Sequence, residues 1–147
     1  MWFSKKPNAD VSSQVTTKAA AKPTTKVRGD AAEAVALVHL QAAGLRLLQR
    51  NFKTPGRGGG EIDLIMGDRD GTLVFIEVRQ RASASHGGAG ASISAVKQRR
   101  IVFAARHFLV RYKTLPPCRF DVLLIEGALG SAEAPKIEWL RGAFDAS

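Results

Sequence analysis

Two short apolar runs, Glu61-Ile62-Asp63-Leu64-Ile65 and Val74-Phe75-Ile76-Glu77-Val78-Arg79, carry acidic side chains where packed β-strands should lie. Runs this rich in Ile, Leu, Val and Phe read as neighbouring strands with little solvent on either face. An ionised carboxylate inside such a strand is costly unless something compensates it. Where several carboxylates converge, a hard divalent cation is the usual compensation, because it takes oxygen ligands. Mg2+- or Mn2+-dependent phosphodiester chemistry is therefore the first function to test.

The rest of the chain bounds the fold that can hold this pair. Its 147 residues, 45% of them hydrophobic, suit one globular domain with a real core. The single cysteine, Cys118, rules out an internal disulfide framework and suits a reducing, cytoplasmic setting. No apolar stretch reaches the length of a membrane span, so no membrane partner is expected. Residues 1–28 hold six cations against Asp10 and lack hydrophobic periodicity, which predicts a disordered basic tail ahead of an α/β domain over residues 29–147. The net charge is +9, and no acid lies between Glu77 and Asp121, whereas nine cations do. Arg81, Arg99, Arg100 and Arg106 belong to that stretch, and together with the tail they point to a polyanion, with nucleic acid as the expected partner.

Pattern and punctuation order the elements. A helix is expected from Ala31 to Gly44 with Asp30 as its N-cap, followed by strands over Leu45 to Lys53, Glu61 to Gly67 and Thr72 to Arg81. A long helix from about Ser92 to Lys113 ends before Pro116-Pro117. Arg119 to Glu126 reads as a fourth strand and Lys136 to Phe144 as a short fifth. The order α-β-β-β-α-β implies an α/β domain with a mixed sheet. Two glycine-rich loops, residues 54–60 and 83–90, match no phosphate-binding fingerprint. They read as flexible turns, and His86 in the second is the histidine to test.

Register decides whether the two acids meet. Glu61, Asp63 and Ile65 should share one face of their strand, and Ile62, Leu64 and Met66 the other. The connection Asp68-Arg69-Asp70-Gly71 suits a three-residue loop with Gly71 left-handed at a bulge. That loop pairs Asp68 with Thr72 and sets Asp63 opposite Glu77, at a Cβ separation of about 4.5–5.5 Å where two carboxylates can share a cation. A two-residue turn would instead oppose Asp63 to Ile76.

Gly60-Glu61-Ile62-Asp63-Leu64-Ile65, the strand from Val74 to Arg81, Lys97-Gln98 and Cys118-Arg119-Phe120-Asp121-Val122 closely resemble the YraN-like family of small bacterial proteins. That family is similar to the PD-(D/E)XK nucleases, above all the archaeal Holliday-junction resolvases. The resemblance implies a restriction-endonuclease-like core, a central mixed sheet flanked by helices, with Asp63 and Glu77 as metal ligands and Glu33 as a third acid. It implies action on DNA, on branched or damaged forms in particular, and by analogy with resolvases a homodimer. One position departs from the superfamily pattern: Arg79 stands where the nucleases carry lysine. Arginine stays protonated and cannot act as a base, but it can grip a phosphate through two parallel hydrogen bonds. Lys97, on the helix stripe of Ile93, Ile101, Ala104 and Phe108 that should face the sheet, is the candidate to serve the water, against the alternative of a lysine stem covering apolar surface.

Two other readings stay open: a nucleic-acid-binding protein that keeps a nuclease fold without cleaving, favoured by Arg79, and an interaction module with a basic tail. Asp121 reads as structural, paired with Arg119 or a helix cation. Glu61 reads as support for the site or as a strand end, and Phe103, Phe108 and Tyr112 read as helix core.

Overall fold

The computed structural model describes residues 25–81, 93–127 and 134–146. Helix α1 (Thr25–Ala42) precedes strands β1 (Arg46–Lys53), β2 (Glu61–Gly67) and β3 (Leu73–Arg81); helix α2 (Ala95–Leu109) then leads to β4 (Cys118–Glu126) and β5 (Lys136–Phe144). The five strands form one sheet in the order β1-β2-β3-β4-β5. β3 and β4 run parallel and every other pair is antiparallel. The parallel pair is where α2 sits in the chain, since parallel neighbours cannot be joined by a tight turn. This is the mixed α/β sheet flanked by helices that the sequence implies, and it is consistent with a restriction-endonuclease-like core.

The central strands are buried on both sides, which is why they read as near-continuous apolar runs. On one face Ala32, Ala36 and Leu40 of α1 pack on Leu64, Met66, Val74, Ile76, Leu123 and Ile125. On the other, Ile101, Ala104, Ala105 and Phe108 of α2 pack on Ile65, Leu73, Phe75 and Phe120. No helix among the described residues is long and apolar enough to cross a membrane.

Several boundaries differ from the sequence reading. α1 starts at Thr25, so residues 25–28 belong to the helix and not to the tail. Asp30 lies inside that helix and pairs with Lys26 one turn earlier at 3.1 Å instead of capping it. α2 is shorter at both ends: Ser94 is its N-cap, accepting from the Lys97 amide at 3.1 Å. It stops well before the prolines, where the Tyr112 amide turns back to the Leu109 carbonyl and Arg111 Nε takes the Phe108 carbonyl at 3.0 Å. The first 24 residues of the basic tail, and the second glycine loop with His86, lie outside the described residues.

Strict alternation also fails at one point. Ile62 packs with Ile65, Phe75 and Ile101, not with Leu64 and Met66. Asn51 has φ 51° between the pairs Arg50–Leu64 and Phe52–Ile62. A left-handed residue interrupts the pleat, and Phe52 crosses with Ile62 to the α2 side.

The first glycine loop is closed, not free. The Thr54 amide donates to the Gly60 carbonyl at 3.0 Å, and the Gly60 amide donates to Thr54 Oγ1 at 2.7 Å. Gly60 lies so near α2 that a Cβ there would sit 1.9 Å from the Arg100 carbonyl oxygen. Gly60→Ala should therefore lower stability by about 1–3 kcal/mol through overpacking, read as a lower urea midpoint at unchanged slope. An unchanged midpoint would contradict this close contact.

Candidate active site

The β2–β3 connection builds the site. The Asp68 amide donates to the Thr72 carbonyl at 2.9 Å, the Gly71 amide donates to the Asp68 carbonyl at 3.1 Å, and Gly71 has φ 91°. This is the three-residue loop with a left-handed glycine that the sequence implies. Pairing runs from Gly67–Leu73 to Leu64–Ile76, and one further step brings Asp63 opposite Glu77. There the ladder ends. The Val78 amide turns from backbone pairing and donates to Asp63 Oδ2 at 2.9 Å.

The two carboxyl groups are close enough to hydrogen-bond to each other. Burial, then the negative charge of Asp63, pushes Glu77 up to about 8, against the pull of Lys97. Burial also raises Asp63, partly offset by the Val78 amide. Two acids this near cannot both ionise at neutral pH, so the pair holds one proton between them. Lys97 Nζ lies 3.3 Å from Glu77 Oε2 while its side chain stays 41% exposed, so the ammonium meets both the site and solvent. The helix stripe predicted this inward placement.

Glu33 approaches from the α1 side. Burial raises its pKa first, then the charge of Asp63, while Arg50 and a hydrogen bond with Asn51 lower it. Its Oε1 is buried without a hydrogen-bond partner. Among the described residues, no three His, Cys, Asp or Glu side chains converge tightly enough to form a ready cation cage. Glu33 thus flanks the Asp63–Glu77 pair without completing a triad. Arg79 is half-buried two residues beyond Glu77 on β3, in register with Leu124. Glu61 is exposed and lies 3.6 Å from Lys53 Nζ, at the strand's outer end.

The basic stretch is less uniform in space than in sequence. Arg81 forms a half-buried ion pair with Glu126 across β3 and β4. Arg119 reaches Asp68 at 3.0 Å and Asp121 at 3.1 Å. Buried Asp121 also accepts from Trp139 Nε1 at 2.9 Å and the Gly142 amide at 3.0 Å, so its role is structural, as its strand position implied. Arg99, Arg100 and Arg106 lie exposed on α2. Phe108 is core, but Phe103 is 46% exposed and is not the core residue expected from sequence. Asn51, the hydrogen-bond partner of Glu33, was not anticipated; an asparagine in a strand, where it is a poor former that tolerates φ > 0, was the available signal.

A family model described as "Uncharacterised protein family UPF0102" matches residues 32–125. A UPF0102 protein of Polaromonas naphthalenivorans (strain CJ2) is 63% identical over 153 residues, covering 100% of both chains. Another, of Paracidovorax citrulli (strain AAC00-1), is 65% identical over 128 residues, covering 87% of this chain and 90% of the relative. A third, of Albidiferax ferrireducens, is 66% identical over 123 residues, covering 84% and 91%.

Glu77 keeps its proton to about pH 8 when folded but releases it near its ordinary 4.5 when unfolded. Between those values the folded chain binds more protons, so stability falls as pH rises. Glu77→Gln removes this dependence. In calorimetric melts without divalent cations, the variant should gain roughly 5 °C or more over the parent at pH 8 relative to pH 5. Parallel curves would mean that the carboxyls do not share a proton.

Proposed function

The chain belongs to the uncharacterised family UPF0102, the YraN-like family its motifs resemble, and we propose that it is a divalent-metal-dependent nuclease acting on DNA. The observation that carries this reading is the Asp63–Glu77 pair at the end of the β2–β3 ladder, with Lys97 Nζ 3.3 Å from Glu77 Oε2. The donor set suits a hard cation: two carboxyls that hold a proton a cation would displace, and beside them the unpartnered Oε1 of Glu33. Asp63 and Glu77 are the residues that would hold the ion, with Glu33 at its flank. Bound there, it supplies charge stabilisation at the phosphate and an acidified water.

The chain's own side chains do the rest. Lys97 spends one N–H on Glu77, which leaves donors for a phosphate oxygen as negative charge builds on it. Arg79 orients the phosphate with its planar fork. The Val78 amide holds Asp63 in one orientation, so the pair is preorganised before substrate arrives. Arg79 in place of lysine favours the second reading, a nuclease fold that binds without cleaving.

Labelled single-stranded, duplex, flap and four-way-junction DNA should be incubated with the protein in Mg2+, Mn2+ or chelator. Cleavage should require metal and fall by about 100-fold or more in Asp63→Ala and in Glu77→Ala. Mn2+ should also raise the melting temperature of the parent at pH 8 and not that of Asp63→Ala. Cleavage that survives both substitutions would overturn the assignment. Salt-dependent binding without cleavage in any metal would establish the second reading instead.

A further inference from the structure

The inner face of α2 is filled by Ile101, Ala104, Ala105 and Phe108. Its opposite face, at three- and four-residue spacing, carries Arg99, Phe103 and Arg106, with Val96 and Val110 also exposed. We propose that this outer face is a subsite for an unpaired nucleic-acid strand, in which Phe103 stacks on a base while Arg99 and Arg106 hold the flanking phosphates.

Three observations converge on that ligand. First, Arg99, Phe103, Arg106 and Val102 line a groove of about 540 Å³ against the chain's last described residues, Asp145 and Ala146. This is the size of a small-ligand site. Two guanidinium groups against the one carboxylate of Asp145 leave it cationic. Second, Phe103 exposes its ring there and is backed by His107, with centroids 4.9 Å apart. Leaving a Phe half in water forgoes burial, and a groove floor of this kind becomes buried once a flat aromatic ligand covers it. Third, the first turns of α2 carry Lys97, Arg99 and Arg100 and no acid. Cations at a helix N-terminus oppose its dipole, and a bound anion offsets that cost.

The combination of ring and cations selects single strands. A duplex offers phosphates to α2 but keeps its base faces stacked within, whereas an unpaired strand offers both. Lys97 leaves the same helix on the other side, toward Glu77. The groove and the acid pair are thus separated by roughly one helix diameter, ~10 Å. A strand seated on Phe103 would bring the boundary between unpaired and paired DNA near Asp63 and Glu77. The inference rests on the nucleic-acid part of the proposed function and not on cleavage.

The test is fluorescence anisotropy with the full chain in chelator, using oligo-dT, oligo-U, an abasic oligonucleotide of equal length and a duplex. Phe103→Ala should weaken oligo-dT or oligo-U binding about tenfold, the loss of one stacked base. It should leave abasic and duplex binding within about twofold. Arg99→Gln with Arg106→Gln should weaken all the probes, since phosphates are common to them. Far-ultraviolet circular dichroism checks that the exposed substitutions leave the fold intact. If Phe103→Ala alters every probe equally, or none, the subsite is wrong while the nuclease reading stands. If the parent binds no probe at all, the nucleic-acid reading falls as well.

Discussion

The turn between β2 and β3 sets the register on which everything else in this domain depends. Side chains alternate along a strand, so a slip of one residue would carry Leu64 and Met66 to the α2 face and take Asp63 away from Glu77. Gly71 prevents that slip through its left-handed backbone, and Asp70 secures it by accepting the Thr72 amide at 2.9 Å. The same turn is held from outside, because Asp68 accepts from Arg119, which in turn grips buried Asp121. Through Trp139 and the Gly142 amide, Asp121 extends that hold to β5. The polar network thus runs from the hairpin that positions the acids to the far edge of the sheet.

Charge in this molecule is sorted by burial. Arg81 with Glu126 across β3 and β4, and Arg119 with Asp68 and Asp121, sit half-buried and hold elements together, whereas the Lys53–Glu61 pair across β1 and β2 is exposed. Arg99, Arg100 and Arg106 stay exposed on the helix surface. Lys97 stands between the two groups, with its head at Glu77 and part of its side chain in water. The acid pair shows the converse: neighbouring carboxyls are tolerated in an apolar sheet because one of them keeps its proton.

Much of the fold was legible because local chemistry and tertiary packing agreed. The apolar runs of β2, β3 and β4 marked buried strands, and Gly71 marked the turn that aligns Asp63 with Glu77. The inward placement of Lys97 followed from helical spacing alone. Part of the rest depends on contacts distant in sequence. Arg81 reads as uncompensated because Glu126 lies on the neighbouring strand, and the Arg119–Asp121 pairing is legible while the link from Arg119 on to Asp68 is not. Phe103 reads as core by residue type, yet its position on α2 faces away from Ile101 and Phe108. Asn51 breaks the pattern locally: its left-handed backbone interrupts β1 just before Phe52, and alternation rules assume that no such residue intervenes. Asp30 has the chemistry of a cap, but the helix continues through it, and its partner is Lys26.

The approach of Gly60 to the Arg100 carbonyl has a mechanical consequence. With no side chain between them, the closed hairpin end over residues 54–60 and helix α2 touch backbone to backbone, so neither can shift far alone. Displacing the hairpin by an ångström would move a helix that carries Lys97 on one side and Phe103 on the other. The hairpin end thus helps fix the position of the helix whose two faces carry Lys97 and Phe103.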